Sequence, residues 1–120
     1  MARILLVEDD QLLRRDVLRA LQEAGHKVDD AATASEAKSF ITTRPYDLVL
    51  TDMRLGDGSG IEIADIATGK GINAIVVTGY GLQVADDERR RHSFLFKPVR
   101  LDDLLSAVSK TLSDILPRLH

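Results

Sequence analysis

Five short apolar runs punctuate this chain, at residues 4–7, around 28, at 48–50, 74–77 and 93–96, and between and after them apolar residues recur at helical spacing. The run Ile4-Leu5-Leu6-Val7 has no polar alternation, which marks a strand buried on both faces. Leu48-Val49-Leu50 and Ala74-Ile75-Val76-Val77 read the same way, while the run around Val28 is weaker. From 11 to 24 the period changes. Leu13, Val17, Ala20, Leu21 and Ala24 share one helical face, with Gly25 placed as a C-cap glycine. Shorter helices are predicted over 35–42, with Ala37, Phe40 and Ile41 inward and a stop at Pro45, and over 61–67, ended by Gly69 and Gly71. A polar helix is predicted over 84–91. A last one carries Leu101, Leu104, Leu105, Val108 and Leu112 on one face and ends before Pro117. The stretch Gly56-Asp57-Gly58-Ser59-Gly60 reads as a loop. Buried strands alternating with helices give an α/β fold: a five-stranded, doubly wound parallel sheet with right-handed crossovers and helices on both faces. The expected strand order is 2-1-3-4-5, and ligands of such sheets bind outside the carboxyl ends of the strands.

Composition narrows the function. A chain of 120 residues is one domain, 1–120, with enough length for one core. A net charge of −3 argues against a general nucleic-acid surface and 4% aromatic residues against stacking on bases, so no direct nucleic-acid partner is expected. The absence of cysteine excludes disulfides and thiolate metal sites. The longest apolar run near the start, residues 4–7, is too short for a signal-peptide core or a membrane span, so a cytoplasmic location and no membrane partner are expected.

The residues at the strand ends carry the chemistry. Glu8 and Asp9 follow the first run, Asp52 the third, Thr78 the fourth and Lys97-Pro98 the fifth. If they meet at one sheet edge, three carboxylates crowd together and raise one another's pKa, a conflict that a hard cation removes. Mg²⁺ suits a site of few carboxylates, retained waters and a phosphate oxygen. Lys97 can pair there with a carboxylate or a phosphoryl oxygen, and Thr78 can donate a hydroxyl. Asp10 is read as a helix cap. Taken singly, Thr78 is a strand-end β-branched residue and Phe94 is core.

Together, Glu8-Asp9, Asp52, Thr78, Phe94 and Lys97-Pro98 on a five-fold βα pattern resemble the receiver domain of two-component response regulators, over essentially the whole chain. The resemblance implies a flavodoxin-like (βα)5 fold and a phospho-acceptor signalling module. It implies Asp52 as acceptor, and Mg²⁺ held by Glu8, Asp9, Asp52 and the backbone carbonyl of Arg54. Thr78 and Lys97 would bind the phosphoryl oxygens, and Phe94 would be the aromatic switch. The donor would be a phosphohistidine on a histidine kinase or histidine phosphotransfer protein, the output an unidentified effector protein. A monomer or weak dimer is expected, catalysing only its own phosphoryl uptake and loss. No output domain follows the last predicted helix, so the receiver is either free-standing or cut from a longer chain.

The chain departs from the family pattern at Gly56, where proline is frequent, and in two shortened stretches, between Asp52 and Thr78 and between Thr78 and Lys97. The second shortening falls on the polar fourth helix. The run Arg89-Arg90-Arg91-His92 is read as a solvated helix end rather than a docking patch. Arg54 and Tyr80 are expected at the mouth of the pocket, slowing hydrolysis of the phosphorylated form. The Lys97-Pro98 peptide is expected to be cis. Three other functions are weighed against these residues. A Mg²⁺-dependent phosphohydrolase with an aspartyl nucleophile wants an acid where Arg54 stands. A flavin- or nucleotide-binding domain wants a Gly-rich turn where Glu8-Asp9-Asp10-Gln11 stands. A pseudo-receiver that only binds a partner would not need the full set of site residues.

Overall fold

The computed structural model describes residues 2–79 and 85–115. In chain order the elements are β1 (Arg3–Val7), α1 (Gln11–Glu23), β2 (Lys27–Ala31), α2 (Ala34–Thr43), β3 (Leu48–Asp52), β4 (Arg54–Leu55) and β5 (Gly58–Ser59). They continue with α3 (Gly60–Gly69), β6 (Asn73–Thr78), α4 (Asp86–Arg91), β7 (Ser93–Phe96) and α5 (Leu101–Ile115). Five strands form a parallel sheet in the order β2-β1-β3-β6-β7, which is the expected 2-1-3-4-5 arrangement once the short β4–β5 ribbon is set aside. A flavodoxin-like α/β fold follows.

The central strands bury both faces, and alternation sorts their side chains into two cores. Leu5, Val7, Val49 and Val76 pack with α2 and α3 through Ala37, Ile41, Ile63, Ala64 and Ala67. Ile4, Leu6, Leu48, Leu50 and Ile75 pack with α1 and α5 through Val17, Leu21, Leu104 and Val108. Local signals set the helix ends. The Asp10 carboxylate accepts from the Leu13 N–H at 3.1 Å, Thr33 Oγ1 from Glu36 at 3.0 Å, and Ser59 Oγ from Ile61 at 3.1 Å. Gly25 takes φ +95° just past α1, a conformation that only glycine adopts freely.

Three expectations need correction. Leu13 and Leu101 share the apolar faces of their helices, yet they are 38% and 42% exposed. Both sit in the first turn of their helices. They flank a cavity of about 410 Å³ between α1, α5 and the strand ends, also lined by Leu6, Val17, Val99 and Leu104. Ala24 is exposed too. The stretch 56–60 is not all loop: Arg54 pairs with Ser59 and Leu55 with Gly58 in a two-stranded antiparallel ribbon, and Gly60 opens α3. Asp52 is the last residue of β3 rather than a residue after it. The predicted start of the fourth helix at Val84 and the stop at Pro117 lie outside the described residues. The Lys97-Pro98 peptide is cis, as expected. Among the described residues no helix is long and apolar enough to cross a membrane.

Candidate phosphoryl-acceptor site

The carboxyl ends of β1, β3, β6 and β7 bring the site together. Glu8 follows β1, and its backbone N–H donates to the Ala31 carbonyl at 3.0 Å, prolonging the β1–β2 ladder by one residue. That pairing turns the Glu8 side chain into the fold, where only 7% of the residue is exposed. Its Oε2 accepts the Asp10 N–H at 3.2 Å, and its carbonyl accepts Arg14 Nη1 at 2.9 Å. One carboxylate oxygen from each of Glu8, Asp9 and Asp52 lies within 4.8 Å of the others. Burial pushes the Glu8 carboxyl up to about 7. The Asp10 N–H works against that rise, and the nearby Asp52 charge and Asp9 hydrogen bond add to it.

Lys97 follows β7 and meets the same cluster. Its Nζ stands 2.9 Å from Asp52 Oδ1. Its backbone N–H donates to the Thr78 carbonyl at 2.7 Å, which fixes where the side chain starts. Burial disfavours the ammonium, but the hydrogen bond it donates to Asp52 and the charges of Asp52, Glu8 and Asp9 outweigh it, so the Lys97 pKa rises. Beside the pair lies a cavity of about 280 Å³ lined by Asp52, Met53, Arg54, Thr78, Gly79 and Lys97. Thr78 is buried and lines this cavity. Arg54 is exposed at its edge, whereas Tyr80 lies outside the described residues. Phe94 is not in the pocket. It is half-buried against the α2–α3 core, and its ring stacks on Phe96 with centroids 6.3 Å apart.

Several residues that the sequence reading passed over support this site. Gly60 packs so closely under the end of β3 that a Cβ there would overlap the Asp52 carbonyl oxygen. Asp57, at the tip of the ribbon, accepts the Ala34 N–H at 2.7 Å and the Ser35 N–H at 3.0 Å. Those two amides hold its carboxyl below the usual carboxylate range. Arg14 joins Glu8 to Asp30, its Nε 3.1 Å from the Asp30 carboxylate. The basic run also divides. Arg91 pairs with Asp65 and Asp87, and Arg89 lies over the Phe96 ring. The His92 side chain is only 1% exposed, with Nε2 2.6 Å from Asp65 Oδ1, and its ring meets Phe94 edge-on. A solvated helix end therefore does not describe His92. The usable signal is its place just before the last strand, with only Ser93 between it and the apolar Phe94-Leu95-Phe96.

A parallel sheet carrying acids, a buried threonine and a lysine at one edge is the architecture of a phosphorylation-controlled switch. The family model described as "Response regulator receiver domain" matches residues 4–109. The response regulator receiver protein CpdR of Brucella abortus is 34% identical over 93% of this chain and 98% of its own length. The transcriptional regulatory protein PdtaR of Mycobacterium tuberculosis is 32% identical over 92% of this chain, which spans 57% of that protein. The chain likewise spans 57% of the acid tolerance regulatory protein ActR of Sinorhizobium medicae, at 34% identity. Among solved structures, the response regulator TrrA of Thermotoga maritima, crystallised with Mg²⁺-BeF, superposes with a TM-score of 0.82 at 31% identity, covering 92% of this chain and 99% of that one. The chain belongs to the response regulator receiver domain family, the phosphorylation-based signalling switches of two-component systems.

Proposed function

We propose that Asp52 is the phosphoryl acceptor, with Glu8, Asp9, Asp52 and the Arg54 carbonyl holding Mg²⁺. The observation that carries this reading is Lys97 Nζ at 2.9 Å from Asp52 Oδ1, inside a group of three carboxylates whose oxygens lie within 4.8 Å. The fit to a divalent cation rests on chemistry: three hard oxygen donors, and a buried Glu8 that resists ionisation when no metal charge faces it. When bound, Mg²⁺ supplies positive charge to the phosphoryl oxygens.

The chain's own groups do the rest. An Asp52 carboxylate oxygen attacks phosphorus. The P–O bond forms as the P–N bond of a phosphohistidine breaks, and the electron pair leaves with the imidazole. Lys97 and the Thr78 hydroxyl bind the equatorial oxygens in the 280 Å³ cavity beside Asp52. Drawing Thr78 towards the phosphoryl group opens space in which Phe94 rotates inward, changing the β7 surface that an effector reads. The donor, a histidine kinase or histidine phosphotransfer protein, approaches over exposed Leu12, Leu13 and Leu101, the last two bordering the apolar cavity next to Asp52. The reaction is a single self-phosphorylation in the cytoplasm rather than turnover of a released substrate.

Intact-mass measurement after incubation with Mg²⁺ and acetyl phosphate tests this. One phosphoryl group should appear on the wild type and none on Asp52→Asn, and chelation of Mg²⁺ should stop uptake. Uptake that survives in Asp52→Asn would move the acceptor elsewhere, with Asp9 and Asp10 next in line.

A further inference from the structure

The segment after Asp52 is fastened at two ends by different means. At its base the Met53 N–H donates to the Val77 carbonyl at 2.8 Å, and the Gly60 N–H donates to the Met53 carbonyl at 2.7 Å. Between these points the chain makes the β4–β5 ribbon, with only two residues in each strand. A ribbon of that length is not stable by itself. Its tip is held by helix α2. Asp57 accepts from the first two N–H groups of that helix, Ala34 and Ser35. The third, Glu36, is taken by Thr33, so these first-turn donors are divided between the helix's own cap and a residue of the acceptor loop. A second contact confirms the seating, since a Cβ on Gly58 would stand 3.0 Å from Ala34 Cβ.

We propose that Asp57 is a positioning residue for the cation site, tying the loop that carries the Arg54 carbonyl to the N-terminus of α2. This rests on the metal reading given above. Arg54 sits in β4, three residues before Asp57, so the ribbon transmits the anchor to the Arg54 peptide. A metal–oxygen distance tolerates little displacement, and groups that only orient a ligand commonly change metal affinity by about 10-fold or more.

The test is calorimetric titration with Mg²⁺ of the wild type, Asp57→Ala, Asp57→Asn and Thr33→Ala. Thr33→Ala removes the neighbouring cap from the same helix without touching the loop, so it separates loss of helix stability from loss of loop position. Asp57→Ala should bind Mg²⁺ about 10-fold more weakly. Asp57→Asn, which keeps one accepting oxygen, should fall between it and the wild type, and Thr33→Ala should match the wild type. If Asp57→Ala does not fold, the comparison of Asp57→Asn with Thr33→Ala decides. Equal affinities in the wild type and the folded Asp57 variants would overturn the proposal alone, as would an equal loss in Thr33→Ala. No Mg²⁺ binding by the wild type would overturn the metal reading and this proposal together.

Discussion

Replacing Glu8 with glutamine should stabilise the metal-free protein while weakening its hold on Mg²⁺. The folded state raises the Glu8 carboxyl from 4.5 to about 7, chiefly by burial. At about 1.4 kcal/mol per tenfold change, the ionised form costs the folded protein about 3 kcal/mol relative to the unfolded chain. Glutamine has the same shape, carries no charge and still accepts the Asp10 N–H, so it removes that cost. The sign depends on pH. Below about 4.5 the carboxyl is protonated in both states and the substitution gains nothing. Between about 4.5 and 7 the wild type binds the extra proton only when folded, and its stability falls as pH rises. Above about 7 the full difference is present. Thermal unfolding at pH 5 and pH 8, with chelator, reads this directly. At roughly 4 °C per kcal/mol for a domain of this size, Glu8→Gln should melt on the order of 10 °C higher at pH 8, with a much smaller gap at pH 5. Millimolar Mg²⁺ should raise the wild type and narrow the gap, because a ligand that binds only the folded state stabilises it by mass action. A glutamine variant that melts below the wild type at pH 8, or a gap that does not change with pH, would refute the reasoning.

Three further outcomes follow from the same geometry. Leu13→Asp and Leu101→Asp should cut phosphoryl transfer from a phosphohistidine protein by about 10- to 100-fold, the equivalent of one leucine's burial. Both should leave labelling by acetyl phosphate intact, and equal losses with both donors would point to a damaged site instead. Arg54→Asn should lose its phosphoryl group several-fold faster than the wild type in a dephosphorylation time course, since the exposed guanidinium borders the cavity that the hydrolytic water must enter. Ile63→Ala, a fully buried deletion on α3, should lower denaturant stability by about 2–5 kcal/mol, and a smaller loss would mean that the α2–α3 core closes over the gap.

The parts of this molecule that were legible in the sequence share a physical cause. Strands β1, β3 and β6 are buried on both faces, so Ile4–Val7, Leu48–Leu50 and Ala74–Val77 had to be uninterrupted apolar runs. Strand β2 lies at the sheet edge, where Lys27, Asp29 and Asp30 blur the signal. The site residues stood out because each interrupts chemistry at a strand end, and one sheet edge collects such ends. The errors arose where a contact joins distant segments. Helical spacing places Leu13 and Leu101 on the apolar faces of their helices, but periodicity carries no information on which turn of a helix is covered. The Gly-rich stretch after Asp52 reads as loop because its pairing depends on an anchor 22 and 23 positions earlier in the chain. His92 looked like part of a charged run because Asp65, its partner, is 27 positions away.

Gly60 has a consequence for heredity rather than for chemistry. By sequence position it belongs to α3, among residues such as Ile63 and Ala64 that tolerate change in proportion to the volume lost. By contact it belongs to Asp52, because even a methyl group would displace that residue's carbonyl. In a saturation screen scored on signalling, position 60 should therefore fall with position 52 as an all-or-none locus. Its alleles would be mistaken for mutations of Asp52, although the carboxylate itself is untouched.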